Sequence, residues 1–195
     1  LLVAPDSAIL LGDGRYENQA KRETASVEVC RYGDKITGMA AAISGCARGR
    51  ILFDAAAMTV ESYAKLAARL PGVHLIQAPT DLGRLRTVKE KWEIDRMRKA
   101  ARIAGDAALA VLNCIRPGVQ ERDIAIELEY KMRRLGADGI AFPPIIASGP
   151  NSALPHAAPG NRRIQEHDVI VMDYGAVVGG YRSDETITVS VGSPP

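Results

Sequence analysis

Two aspartates flank a glycine pair in the segment DYGAVVGGYRSDET, residues 173–186. Asp173 follows an apolar run that is typical of a buried strand, and Asp184 precedes a second strand-forming run. A turn centred on Val178–Gly179 would place the two aspartates directly opposite each other in an antiparallel hairpin. Their Cβ atoms would then lie roughly 4.5–5.5 Å apart on the same face of the sheet.

Carboxylates this close repel each other unless something neutralises them. Either one acid holds a proton at raised pKa, or a cation lies between the two. Carboxylate oxygens suit hard divalent metals such as Mn²⁺ or Mg²⁺, and such groups can bridge a pair of metals. Thr186 and Thr188 share the face of Asp184 and could donate supporting hydrogen bonds to the ligands. The spacing alone also fits two solvated turn residues, but an unpaired charge at the end of the apolar strand before Asp173 would be costly.

His156 lies in SGPNSALPHAAPG, residues 148–160, a stretch of turn-forming residues with neither helical nor strand periodicity. Polar loop residues on a rigid scaffold often bind or catalyse. An imidazole there could hydrogen-bond a substrate carbonyl or the oxyanion that develops from it, and the alternative is an ordinary surface histidine. The surroundings of His74 favour a structural role, and those of His167 favour a solvated turn.

Residues 1–85 alternate short apolar runs with helical patterns, which indicates an α/β layer with a mostly parallel sheet. From Ile94 to Ile115, apolar residues recur every three or four positions, the pattern of one long amphipathic helix. A second helix follows and is predicted to end at Gly136. The residues predicted to face inward on the two helices are Ile94, Met97, Ala101, Ala104, Ala108, Val111, Ile115, Ile124, Leu128, Met132 and Leu135.

Composition places the chain among ordinary globular proteins. Its 195 residues are 47% hydrophobic and 25% charged, with a formal net charge of +2. Because there is no basic stripe and no run near the roughly 18 apolar residues of a membrane span, we expect neither a nucleic-acid nor a membrane partner. Three widely spaced cysteines without a C-x-x-C pair, Cys30, Cys46 and Cys114, are typical of a reduced cytoplasmic protein.

Four motifs, taken in order, resemble the Xaa-Pro aminopeptidase and prolidase family of pita-bread metallopeptidases. They are VKEKWEIDRMRKAARIAGDA (88–107), IRPGVQERDIAIELEYKMRRLGADGIAF (115–142), IIASGPNSALPHAAP (145–159) and DVIVMDYGAVVGGYRSDETITVSVG (168–192). An earlier stretch, LLGDGRYENQA, resembles part of the small N-terminal domain that these enzymes carry. The resemblance covers nearly the whole chain.

This resemblance implies a mixed α/β (α+β) fold, with a small N-terminal domain over residues 1–85 and the first αβ half of a pita-bread catalytic domain over residues 86–195. It implies two bound divalent metal ions, manganese first, with cobalt, zinc or magnesium as alternatives. Asp173 would be a terminal or bidentate metal ligand and Asp184 a ligand bridging both ions. His156 would be the catalytic residue that binds the proline-containing peptide and stabilises the tetrahedral intermediate. A metal-bound hydroxide would attack the peptide bond before proline.

The family uses five metal ligands, and a histidine and two glutamates of that set have no match after Asp184. We therefore expect the chain to be an internal piece of a longer cytoplasmic enzyme, inactive towards peptides by itself; family members are often homodimers. Two other interpretations stay open: a non-catalytic pita-bread homologue that binds peptides or proteins, and a creatine-type amidinohydrolase on the same scaffold. The facing acids favour the peptidase, because a binding module has no physical need for them.

Overall fold

The computed structural model describes residues 1–46, 49–78 and 82–192. It forms two compact units, Leu1–Val88 and Lys89–Pro195, each with its own hydrophobic core. All three cysteines carry free thiols. No helix in the described ranges combines the length and the apolar character needed to cross a membrane.

Short strands and helices alternate along the first unit, as the sequence predicts. Three strand pairings connect them: the first pairing is an antiparallel hairpin that turns at Pro5–Asp6, and the other two are parallel. Because two of these three pairings are parallel, the predicted mostly parallel arrangement is confirmed over the described residues. The antiparallel pair turns at Pro5, whose fixed φ suits a tight turn. The elements are β1 (Leu2–Ala4), β2 (Ser7–Gly12), α1 (Glu17–Glu23), β3 (Glu28–Arg31), α2 (Lys35–Cys46), β4 (Gly49–Phe53), α3 (Val60–Ala67) and β5 (Val73–Gln77).

Helices α2 and α3 supply the core of the first unit. Thr59 begins α3 as its N-cap, and its hydroxyl oxygen accepts a hydrogen bond from the Ser62 N–H at 3.2 Å. Leu66 of α3 and Ile43 of α2 are buried together, and strand residues such as Ile51 pack against them. This unit is therefore held by the packing of its helices against short strands.

The second unit consists of two long helices followed by antiparallel strands. β8 lies between β7 and β11 in one sheet, and β9 lies between β6 and β10 in another. The described elements are α4 (Lys91–Leu112), α5 (Glu121–Arg134), β6 (Gly139–Ile140), β7 (Ile145–Ser148), β8 (Val169–Tyr174), β9 (Ala176–Val178), β10 (Tyr181–Arg182) and β11 (Glu185–Ser190).

One face of the β7–β8–β11 sheet packs against α4 and α5. Along β8, Ile170, Met172 and Tyr174 are 0 to 2% exposed in the core that the helices share. Because side chains alternate along a strand, Asp173 points to the opposite face, away from the helices. The sheet thus places its packing residues on one face and its acid on the other.

The buried face of α4 differs from the predicted one at its N-terminal end. Ile94 and Met97 are 36% and 38% exposed rather than buried, and Ala101 is exposed as well. Leu135, the C-cap residue of α5, is also exposed rather than buried. The buried stripe of α4 consists of Ala100, Ile103, Ala104, Ala107, Ala108 and Val111.

Polar and aromatic residues continue this stripe over the first turns of α4, where the helix meets the β9–β10 hairpin. The Arg96 guanidinium stacks over the Trp92 ring at 4.7 Å from its centroid. The Tyr181 hydroxyl donates to Glu93 Oε1 at 2.6 Å. Here polar and aromatic side chains, rather than apolar ones, face the hairpin. A prediction from apolar spacing alone therefore placed Ile94 and Met97 on the buried face incorrectly.

The hairpin turn lies one residue further along than predicted. It consists of Gly179 and Gly180, with φ of 56° and 84°, and Val178 pairs with Tyr181. Turns that match the strand twist need positive φ at their central residues, which glycine adopts readily and β-branched valine does not. The predicted turn centred on Val178–Gly179 is therefore wrong.

Candidate metal centre

Asp173 and Asp184 line one cavity although they are not paired across the hairpin. Asp173 lies opposite Thr186 in the β8–β11 ladder, and Asp184 precedes β11 at the break after β10. The predicted opposition of the two acids is wrong, because moving the turn by one residue moves every cross-strand pair by two. A step of two keeps a side chain on its face. Both carboxylates accordingly line the same cavity of about 460 Å³.

A close backbone approach next to Gly175 fixes the position of Asp184. The two arms of the hairpin come so near each other here that a Cβ on Gly175 would overlap the carbonyl oxygen of Ser183. The Ala176 N–H donates to Ser183 Oγ at 3.1 Å, and the Ser183 N–H donates to the Ala176 carbonyl at 3.0 Å. Ser183 is buried, so the backbone that leads into Asp184 is held on both sides.

Thr186 contacts one of the two acids directly. Its hydroxyl donates a hydrogen bond to Asp173 Oδ1 at 3.1 Å, within the cross-strand pair. A hydroxyl donor of this kind fixes the orientation of the carboxylate. The contact is of the supporting kind that the sequence suggests for Thr186.

His156 lines the same cavity and comes from the loop that follows β7. The loop begins with a 3-10 segment, Gly149–Ala153, and then brings His156 to the cavity wall. The structure thus places together the three side chains to which the sequence assigns chemistry, although apolar residues form most of the wall. The residues that line the cavity are Phe142, Pro143, Pro144, Ile145, His156, Ala157, Ala158, Pro159, Asp173 and Asp184.

Sequence reasoning missed a buried polar network beside this loop. Buried Asp168 accepts two hydrogen bonds from Arg162, at 2.6 and 3.0 Å. Arg162 Nη1 also donates to Ser148 Oγ at 2.5 Å, and Ser148 Oγ donates to buried Glu121 at 2.7 Å. Because Glu121 and Ser148 are 27 positions apart, the network leaves no local pattern in the sequence. The one visible signal is an acid, Asp168, directly before an apolar run.

We expect acid to weaken this network through Asp168. The hydrogen bond from Arg162 holds the pKa of Asp168 below its ordinary value of 3.8, against the opposing effect of burial. A lowered folded-state pKa means that the ionised acid adds stability above its ordinary pKa, and that this stability is lost as the pH falls through the lowered value.

Asp168→Asn should therefore lower the free energy of unfolding by about 2 kcal/mol at neutral pH and flatten its decline on acidification below about pH 4. Urea unfolding followed by the fluorescence of Trp92, the single tryptophan, measures both effects. An identical pH dependence in the variant and the parent chain would contradict the prediction.

The donor chemistry of the cavity fits a hard divalent cation. Asp173 and Asp184 offer carboxylate oxygens, the ligands that Mn²⁺ and Mg²⁺ prefer, and Thr186 orients one of them. Over the part of the chain that the structure describes, no group of three or more His, Cys, Asp or Glu side chains converges to hold a metal. The two aspartates therefore fit such a site as part of its ligand set.

Comparison with known families finds a match for both units. Residues 95–195 match Metallopeptidase family M24, and residues 1–88 match the Creatinase/Prolidase N-terminal domain. The expected mixed α/β fold, a small N-terminal domain followed by the first half of a pita-bread domain, is thereby confirmed.

Individual relatives support the same match. An uncharacterized peptidase of Bacillus subtilis, YqhT, is 34% identical over 194 residues, which are 99% of this chain and 55% of that protein. A Xaa-Pro dipeptidase of Pyrococcus furiosus is 46% identical over 110 residues, which are 56% of this chain and 32% of that protein. A solved X-Pro aminopeptidase of Thermotoga maritima has a TM-score of 0.89 and 33% identity, covering 99% of this chain and 54% of its own. The chain spans about half the length of the proteins it matches from end to end.

Proposed function

Because the chain belongs to metallopeptidase family M24, we propose that it carries the first part of the active site of a Xaa-Pro peptidase. The substrate would be a short peptide, cleaved at the bond before proline. The observation that carries this proposal is the single cavity that His156 shares with Asp173 and Asp184. Relatives named Xaa-Pro dipeptidase and X-Pro aminopeptidase support the choice of substrate.

The two acids would hold divalent metal ions. Asp173, oriented by its hydrogen bond from Thr186, and Asp184 would be the ligands that this chain supplies. A pair of bound divalent ions would polarise the scissile carbonyl and acidify the attacking water. Manganese is the first candidate because carboxylate ligands suit it, with cobalt, zinc and magnesium as alternatives.

His156 would act on the substrate itself. From the cavity wall its imidazole would donate a hydrogen bond to the carbonyl oxygen that gains negative charge during attack. Phe142, Pro143 and Pro144 form an apolar part of the same wall, which would accept a proline ring and exclude water from it. The cavity thus combines polar groups for chemistry with an apolar surface for recognition.

Hydrolysis of matched dipeptides by the full-length gene product tests this function. After chelation and restoration with Mn²⁺, we expect Ala-Pro to be cleaved roughly tenfold or more faster than Ala-Ala. Creatine is the third substrate, because a creatine-type amidinohydrolase would consume it and leave both dipeptides intact. Tight binding of proline peptides without turnover under any of the four metals would support a non-catalytic binding module instead.

The 195-residue chain purified by itself should not hydrolyse Ala-Pro. Two carboxylates cannot hold a pair of divalent ions in a fixed geometry, and the described residues include no larger cluster of ligands. Release of free proline at saturating Mn²⁺ should stay at the level of the buffer control. Full peptidase activity from this chain would contradict the assignment of Asp173 and Asp184 as only part of the ligand set.

A further inference from the structure

The loop that carries His156, residues 149–160, is attached to the first turn of α5; we call it the His156 loop. The N–H of Arg122 donates to the carbonyl of Gly160, the last residue of the loop, at 3.1 Å. The N–H of Glu121 donates to the Arg162 carbonyl at 3.1 Å. The first N–H groups of a helix have no partner within the helix. The end of the His156 loop and the residues after it therefore satisfy the start of α5.

The side chain of Glu121 connects both ends of the His156 loop. Glu121 as a whole is 1% exposed. Oε1 accepts hydrogen bonds from the Ser148 N–H at 2.8 Å, from Ser148 Oγ at 2.7 Å and from Asn151 Nδ2 at 3.0 Å. Oε2 accepts from Asn151 Nδ2 and from the Gly160 N–H, both at 3.2 Å. One carboxylate thus contacts the residue before the loop, a residue in its first turn and its last residue.

Glu121 is ionised in spite of its burial. Burial acts to raise the pKa of Glu121, but the hydrogen bonds from Ser148, Asn151 and Gly160 outweigh it and hold the pKa below its ordinary value. A buried carboxylate is costly unless donors satisfy its oxygens. Since these donors belong to the His156 loop and the residue before it, the loop and the charge stabilise each other.

The tip of the His156 loop has little packing of its own. Residues 153–156 are exposed, and Ala157 is the buried residue that follows them. Side-chain burial therefore contributes little to the position of His156. The direction in which its imidazole points depends on how firmly the two ends of the loop are held.

We propose that Glu121 is the positioning residue of His156, holding the His156 loop at both ends so that the imidazole stays at the cavity shared with Asp173 and Asp184. The catalytic meaning of that position rests on the peptidase function proposed above. The mechanical link between Glu121 and the loop does not.

Glu121→Gln in the 195-residue chain tests the proposal. Glutamine keeps the shape of the side chain but replaces one acceptor oxygen with an NH₂ group, which cannot accept from Ser148 or Gly160. Amide hydrogen exchange in the His156 loop should accelerate by about tenfold or more, with the amides of α4 unchanged. Ring resonances of His156, observed by NMR of labelled histidine, should shift, and those of His74 in the first unit should not.

Two further variants keep the result decisive. Glu129→Gln removes a carboxylate from an outer face of the same helix, where it pairs with Arg133 at 3.0 Å, and should leave the His156 loop and its NMR signals as in the parent chain. Asn151→Ala removes the donor to both oxygens of Glu121 from a half-buried position. It should reproduce both effects in weaker form even if Glu121→Gln fails to fold.

Faster exchange spread evenly over α4 and α5, or unmoved His156 resonances, would overturn the proposal, because Glu121 would then only stabilise the unit as a whole. Neither readout uses a substrate, so both stand whether or not the parent protein cleaves Ala-Pro. If the full-length gene product cleaves Ala-Pro, Glu121→Gln should lower its kcat by about tenfold with little change in KM. A parent protein inactive towards Ala-Pro would contradict the proposed function alone.

Discussion

Under the proposed peptidase function, Asp173→Asn is expected to lower kcat/KM of the full-length gene product for Ala-Pro by about 10³-fold or more. Asparagine keeps the size of the side chain and an oxygen for the Thr186 hydrogen bond, found at 3.1 Å, but it removes the negative charge. Metal assistance is worth several kcal/mol to the transition state, and each step of about 1.4 kcal/mol is a factor of ten in rate. Initial rates at saturating Mn²⁺ measure the loss.

A matched control and a direct metal readout accompany this variant. Asp106→Asn changes an exposed aspartate of α4 and should retain the parent activity. In Mn²⁺ titration calorimetry of the same protein, Asp184→Ala should weaken Mn²⁺ binding by about 10²-fold. Loss of a residue that only hydrogen-bonds a metal ligand already weakens binding by about 10- to 100-fold, and loss of a ligand itself should cost at least as much. Equally tight binding by the parent and Asp184→Ala would refute the role given to Asp184. Unchanged turnover of Ala-Pro by Asp173→Asn would refute the metal-ligand role given to Asp173.

Gly175→Ala is expected to lower the free energy of unfolding of the 195-residue chain by about 3 kcal/mol. Its new methyl group would overlap the carbonyl oxygen of Ser183, and because this obstacle is backbone, no side-chain rotation relieves it. The arms of the hairpin would have to separate, which would also move Asp184. Urea unfolding followed by the fluorescence of Trp92 measures the change, since this ring packs edge-on against Tyr181 of the hairpin, with centroids 5.7 Å apart.

Gly139→Ala is the control for this prediction. Gly139 lies in β6, which pairs with the same hairpin, but nothing lies within 4 Å of a Cβ placed there. An added methyl group without a clash should change the free energy of unfolding by no more than about 0.5 kcal/mol. Equal unfolding midpoints for Gly175→Ala and Gly139→Ala would show that the approach between Gly175 and Ser183 is not a steric limit.

The helices could be predicted from the sequence because their pattern is local. On α5, Ile124, Leu128 and Met132 recur every four residues, and all three are buried as expected. The surface pairs Glu127–Lys131 and Glu129–Arg133, each four residues apart, form ion pairs at 3.2 and 3.0 Å. Burial and charge in these positions depend on neighbours one turn away, which the sequence displays directly.

The hairpin register and the support of the His156 loop could not be read in this way. The register depends on which residues adopt positive φ, and the turn at Gly179 and Gly180 pairs Asp173 with Thr186 instead of Asp184. Glu121 finds its partners at Ser148 and Gly160, 27 and 39 positions later in the chain. Topology brings such residues together, and no local spacing signals the contact.

The division of β8 and β11 into two faces also makes this hairpin a starting point for protein engineering. Core packing lies with residues such as Met172, whereas Val171 and Thr188 pair across the ladder on the face that carries Asp173. A histidine or a further carboxylate at either position would join the existing acid without entering the core. The ligand set of the proposed metal site could therefore be extended on this face without substituting a core residue.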